Sequence, residues 1–203
     1  YSVSSLLRSR LPGWEIVCEN GLSSLQYFCA RLGVGYDHVE TISVHGRAGS
    51  AVPAVSYSPR VFILTGGERR VQDVAAELCA AGMGAVRVHV GENLSAENER
   101  IVSGTAADME REAFDSLAVM LVENGAAVDP QAVLRDSDFS RGKVPMTKQE
   151  VRDVSLSRLD IRAGDTVWDV GAGTGSVSVA MARRASRGMV YAVEKKEEAV
   201  ALL

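Results

Sequence analysis

Apolar residues recur along this chain with two alternating periods. Val3, Leu6 and Leu7 predict an amphipathic helix over residues 3–11, stopped by Pro12-Gly13. Residues 14–18 read as a short strand and Asn20-Gly21 as a turn. Ser23 or Ser24 then caps a helix with apolar positions at Leu25, Phe28, Cys29 and Leu32, the i, i+3, i+4, i+7 spacing, ended by Gly33 and Gly35. Residues 41–44 form a second strand running into His45-Gly46-Arg47, and the small residues and prolines of 48–59 read as a loop.

The next stretch is clearer. Residues 60–64 read as a buried strand, followed by Thr65-Gly66-Gly67 and a helix with Val71, Val74, Ala75, Leu78 and Cys79 on one face. Gly82 and Gly84 break that helix, and residues 85–90 form the next strand. Gly91-Glu92-Asn93 reads as a turn, 99–102 as a short pairing strand, 106–111 as a polar helix and 117–122 as a strand. Strands alternating with helices predict an α/β sandwich. Residues 125–138 show no sustained period and contain Pro130, which places a domain junction there.

Beyond the junction, Thr147 and Glu150 have the spacing of a capping box, with Val151, Val154 and Leu159 as the inner face of the helix they open. Arg162-Ala163-Gly164-Asp165 turns the chain into a strand at 166–170. A glycine turn at 171–175 follows, then a helix from Ser176, a strand over 188–193 and Glu194. Residues 198–203 look like the first turns of another helix.

Composition narrows the class. The 203 residues carry a net charge of −4, which argues against nucleic acid as the main partner. No apolar run has the length of a membrane span and no signal peptide is present, so a soluble cytoplasmic protein is expected. Cys18, Cys29 and Cys79 lack metal-ligand spacing, and no metal site is expected. The chain opens without Met inside a helical pattern and closes inside another, which predicts an internal segment of a longer protein. On that expectation the segment alone does not turn over.

The glycine turn carries the chemistry. A buried strand, close-approach glycines and an acidic residue after the next strand make a nucleotide-type pocket. The dinucleotide pattern G-x-G-x-x-G fails in both frames, because its third glycine falls on Ser176 or on Ser178. Asp169-Val170-Gly171-Ala172-Gly173-Thr174-Gly175 instead resembles the first motif of class I S-adenosylmethionine (SAM) methyltransferases, and Glu194 stands where that family has its ribose acid. The resemblance implies SAM as cofactor, held by Gly171, Ala172, Gly173, Thr174, Gly175 and Glu194, with Asp169 orienting the turn and helping to hold the methionine end.

Two longer resemblances narrow this further. Asp138-Phe139-Ser140-Arg141-Gly142-Lys143-Val144-Pro145-Met146-Thr147-Lys148-Gln149-Glu150-Val151-Arg152, with the glycine turn, is similar to the CbiT-type corrin methyltransferases and implies that Thr147 lies at the cofactor site. Gly21-Leu22-Ser23-Ser24-Leu25-Gln26, Ser43-Val44-His45-Gly46-Arg47, Ile63-Leu64-Thr65, Gly91-Glu92-Asn93-Leu94 and Glu99-Arg100-Ile101 are similar to the CbiE-type tetrapyrrole methylases, with Asn20 where those have Pro. That likeness adds Ser23 and Ser24 to the cofactor contacts.

The implied fold is the C-terminal part of a tetrapyrrole methylase (1–124), a linker (125–137) and the N-terminal part of a Rossmann-like class I methyltransferase (138–203). The implied activity is SAM-dependent methylation of a precorrin at C5 and C15, with loss of an acetate carboxylate, in cobalamin biosynthesis. A homo-oligomer is implied as well. Precorrin carboxylates make Arg47, Arg141 and Lys148, with Lys143 and Arg152 beside them, candidate substrate contacts. His45 reads as a structural turn residue before an acid or base, and the residues show no nucleophile–base–orienter set. Two alternatives stay open: a non-catalytic SAM-binding or assembly fragment, and a class I methyltransferase with another substrate.

Overall fold

The computed structural model describes residues 2–45 and 49–203. Its larger sheet is built around β5 (Ala118–Glu123), an apolar run that stays buried because both faces are covered. β2 (Arg60–Leu64) and β3 (Arg87–Glu92) pair antiparallel with β5 on either side. β1 (Glu40–Ser43) runs parallel to β2, and β4 (Arg100–Thr105) runs antiparallel to β3. The order is β1-β2-β5-β3-β4.

Side chains alternate between two cores, as the strand period requires. Val61, Ile63, Val88, Val90, Met120 and Val122 enter one core with Val71, Val74, Ala75 and Leu78 of α4 (Val71–Ala80) and Ala106 and Met109 of α5 (Ala106–Glu110). Phe62, Val119 and Leu121 face Phe28 and Cys29 of α2 (Ser24–Leu32) on the other side. α2 lies this close because Gly91 has no side chain: a Cβ there would sit 2.7 Å from the Phe28 ring.

Most strands and helices fall where the periodicity placed them, with these exceptions. Residues 14–18 pair with no strand among the described residues and form none, and Trp14 is 74% exposed. The expected loop at 48–59 contains α3 (Val52–Tyr57), because Pro53 sits in its first turn, where the missing N–H costs nothing, and Val55 packs into the core. β3 continues through Gly91 and Glu92, so the turn begins at Asn93, whose φ is 48°. Glu92 tolerates burial because its carboxylate accepts from Arg100 Nη1 at 2.8 Å and from the Asp115 amide at 2.5 Å. α1 (Ser2–Arg10) forms as expected, with Val3, Leu6 and Leu7 exposed.

After residues 125–135, which hold no regular element, come a 3-10 turn (Asp136–Asp138), α6 (Gln149–Leu159), β6 (Thr166–Val170), α7 (Ser176–Arg184), β7 (Met189–Val193) and α8 (Glu197–Val200). β6 and β7 are a parallel pair. Leu156, Ala180 and Met181 are buried against Val167 and Val190 on one face of that pair. The capping box is absent: Lys148 is the N-cap of α6, no side chain caps it, and Thr147 lies one residue outside. Its inner face also differs. Val151, Val154 and Leu159 are exposed, while Leu156 and a fully buried Arg152 point inward. Among the described residues no helix is long and apolar enough to cross a membrane.

Candidate functional site

The turn after β6 takes its shape from three alternating glycines, all left-handed: Gly171 at φ 85°, Gly173 at 57° and Gly175 at 73°. L-residues occupy this region only with strain, so the glycines are required by conformation. The Gly171 and Ala172 amides donate to the Val193 carbonyl at 2.7 and 3.1 Å, which ties the turn to the end of β7. Gly175 is the N-cap of α7 and no side chain caps that helix, so its first-turn amides lie beside the turn.

Glu194 follows β7 directly and closes the turn from the other strand. One carboxylate oxygen accepts from the Gly173 amide at 2.9 Å. The second accepts from the amides of Lys195 at 2.7 Å and Lys196 at 3.0 Å. These bonds, the one from Lys196 foremost, hold its carboxyl below the ordinary carboxylate value. A carboxylate offers about four acceptor positions, so three are already engaged with backbone. Both ribose hydroxyls of a cofactor can be received once one of these amides gives way. Asp169 accepts from the Ser178 hydroxyl at 2.5 Å, locking the end of β6 to the first turns of α7.

The run before α6 meets the same turn. A Cβ on Gly173 would lie 3.5 Å from the Pro145 carbonyl oxygen and 4.0 Å from Val144 Cγ1, so residues 144–145 pass beside the glycines. Thr147 is exposed, and its carbonyl accepts from Arg152 Nη1 at 3.0 Å. Arg152 also donates to the Leu134 carbonyl at 2.6 Å and to Asp136 at 3.2 Å, with Phe139 5.0 Å from its guanidinium. It is fully buried and organises the chain around it, which removes it from the substrate candidates. Arg141, Lys143 and Lys148 are exposed, and none forms an ion pair among the described residues. Arg47 lies outside the described residues.

Ser23 and Ser24 stand elsewhere, at the end of the larger sheet where β3 finishes. A cleft of about 380 Å³ is lined there by Leu22, Ser23, Ser24, Tyr27, Leu94 and Ser95. Ser23 is the N-cap of α2, its hydroxyl accepting from the Gln26 amide at 3.2 Å and donating to Gln26 Oε1 at 3.1 Å. Most of its bonding capacity is therefore spent on the helix, and Ser24 is the less committed of the two. His45 is exposed, with its ring against the Gly66 turn, where a Cβ would come within 2.5 Å of Nδ1.

Sequence reasoning missed three participants: Ser178 as the partner of Asp169, the Lys195–Lys196 amides on Glu194, and Tyr27 with Glu99 beside the second cleft. Glu99 lay inside a quoted motif, but only the fold shows what it touches. Cys29 is buried, Cys79 half-buried and Cys18 exposed, and burial raises the first two thiols above their ordinary value. Among the described residues no cluster of His, Cys, Asp or Glu could hold a metal ion.

Comparison with known proteins locates both halves. Residues 138–203 match the model of the precorrin methyltransferase domain, and residues 2–110 match that of the tetrapyrrole (corrin/porphyrin) methylases. A precorrin-6Y C(5,15)-methyltransferase [decarboxylating] of a Sinorhizobium species is 32% identical over 184 residues, covering 88% of this chain and 45% of the relative. A probable cobalt-precorrin-6B C(15)-methyltransferase (decarboxylating) of Pyrobaculum calidifontis is 54% identical over 69 residues, covering 33% of this chain and 35% of the relative. The solved precorrin-6Y methylase (cbiE) of Archaeoglobus fulgidus is 27% identical, with a TM-score of 0.40 over 60% of this chain and 56% of its own. The chain thus spans less than half the length of these two curated relatives. By the match over residues 2–110, more than half of its length, this chain belongs to the tetrapyrrole (corrin/porphyrin) methylases.

Proposed function

We propose that the chain is part of a SAM-dependent precorrin methyltransferase of cobalamin biosynthesis, one that methylates the macrocycle at C5 and C15 and removes an acetate carboxylate. The division is 1–124 for the tetrapyrrole methylase part, 125–137 for a linker and 138–203 for the class I part. Two relatives named for this chemistry, each similar to a different extent of the chain, support the reading. The observation that carries it is the left-handed glycine turn, closed by Glu194 and flanked by residues 144–145.

SAM supplies an electrophilic methyl group, so these residues have to bind, orient and exclude water more than to react. Gly171, Ala172, Gly173, Thr174 and Gly175 let the backbone approach the cofactor, and Glu194 receives the ribose hydroxyls. Asp169 orients the turn through Ser178, and Thr147 borders it at the start of α6. Ser23 and Ser24 contribute to a second cofactor cleft on the larger sheet. Arg141 and Lys148, exposed and unpaired among the described residues, are free to meet the many carboxylates of a precorrin; Arg47 has that role in the first part. The assembly is a homo-oligomer working in the cytoplasm.

The test has two arms. SAM titration should weaken about tenfold in Glu194→Ala, because a charged acceptor for the ribose is lost. Unchanged affinity would remove Glu194 from that role. Transfer of labelled methyl from SAM to a precorrin should be seen with the whole protein. Binding without transfer would favour a cofactor-binding module, and transfer only to another acceptor would favour a different methyltransferase.

A further inference from the structure

The cleft beside Ser23 has two walls far apart in the chain. Leu22, Ser23, Ser24 and Tyr27 form one, where the chain enters α2, and Leu94 and Ser95, in the turn leaving β3, form the other. Glu99 bridges them. One of its carboxylate oxygens accepts from the Tyr27 hydroxyl at 2.7 Å and from the Ser95 amide at 2.8 Å, and the other meets Arg31 of α2 at 2.9 Å. The side chain is only 12% exposed. Ser95 and Asn93 hold φ of 68° and 48°, a region that residues with a Cβ leave unless other bonds hold them there. Asn93 is held by its amide to the Leu117 carbonyl at 3.0 Å and by its side chain to Asp115 at 2.9 Å. Ser95 is held by the bond from its amide to Glu99 and by its side chain against Tyr27.

We infer that Glu99 is the positioning residue of the cleft, setting the distance between its walls through Tyr27 and Ser95 without touching the ligand. This rests on the reading of that cleft as a SAM contact. The arrangement suits an acid better than an amide, since a carboxylate accepts from three donors at once while Gln has one acceptor oxygen and would turn an NH₂ toward one of them. The bonds from Tyr27 and Ser95 also hold the Glu99 carboxyl below the ordinary carboxylate value, so the accepting form is present at neutral pH.

The experiment is a SAM titration of the full chain followed by amide NMR, which reads Ser24 and Leu94 at this cleft separately from Gly173 at the other. Glu99→Ala should weaken the response at Ser24 and Leu94 about tenfold and leave that at Gly173 unchanged. Glu99→Gln should fall between wild type and Glu99→Ala. Tyr27→Phe should weaken binding in wild type and do so less in the Glu99→Ala background, because the Tyr27–Glu99 bond is already gone there. If Glu99→Ala lowers the melting temperature yet binds at Ser24 and Leu94 as wild type does, Glu99 is only structural and the inference is overturned. If Ser24 and Leu94 ignore SAM in wild type, the reading of the cleft is overturned and the inference with it.

Discussion

The two sheets of this molecule bury their strands differently. β5 has a core on each face, and every residue from Ala118 to Val122 is buried. Among the described residues β6 and β7 have a core on one face alone. On the other, Trp168 stacks on Tyr191 at 4.8 Å, and Trp168 and Val170 remain 62% and 78% exposed. The larger sheet therefore takes its stability from apolar area removed from water, in proportion to that area. The smaller pair depends more on the conformation and hydrogen bonds of its glycine turn. That turn is one of the two places where the cofactor is proposed to bind, so the less buried region depends on local conformation for its share of the proposed site.

The strongest way to break this comparison is to cut into one core and watch the other region. Leu78→Ala removes a fully buried side chain of α4 and should cost about 3 kcal/mol. Hydrogen exchange of the β5 amides should accelerate accordingly while β6 amides keep their rates. Trp168→Ser should cost about 1 kcal/mol through the lost stack on Tyr191, well below the core change, because most of the ring is solvated already. Equal losses from the two changes would mean that the outer face of β6 is covered in solution.

An effect smaller than that of Leu78→Ala separates conformation from space at the turn. Nothing lies within 4 Å of a Cβ placed on Gly171, yet its φ is 85°. Gly171→Ala should therefore cost about 1–2 kcal/mol by backbone strain alone, seen as faster exchange at β6 and β7 with β5 unaffected. A neutral Gly171→Ala would show that the turn has another shape in solution.

These contrasts also explain what could be read from the residues alone. β2 and α4 were legible because period two and period 3.6 follow from backbone geometry, and the glycine turn because tolerance of positive φ belongs to the residue type. The inner face of α6 was not, since Arg152 is buried by carbonyls at Leu134 and Thr147 that only the folded chain brings to it. Thr147 and Glu150 have capping spacing, but the helix starts one residue later, which spacing cannot decide. Residues 14–18 have strand-like composition without a partner strand, and a strand is defined by its partner. α3 was hidden by Pro53, which breaks a helix interior and suits a first turn. The family was legible from quoted motifs, whereas the three amides on Glu194 depend on how the loop after β7 closes.

The smallest expected effect is a dependence on pH at that same loop. The amides of Lys196, Gly173 and Lys195 lower the folded-state value of the Glu194 carboxyl below its ordinary 4.5. A lowered value means that the folded state binds the proton less readily than the unfolded chain. The stabilisation is thus present above pH 4.5 and is lost as pH falls through the folded value. Glu99 and Asp108 shift in the same direction, so wild type alone cannot assign the loss to one group. The difference between wild type and Glu194→Gln isolates it, because the other carboxylates cancel. Urea unfolding should show wild type the more stable at pH 7, with the gap narrowing below pH 4.5. A gap that stays constant down to pH 3 would mean that these amides do not hold Glu194 in solution; its carboxylate would then be free for a ribose without any exchange of partners.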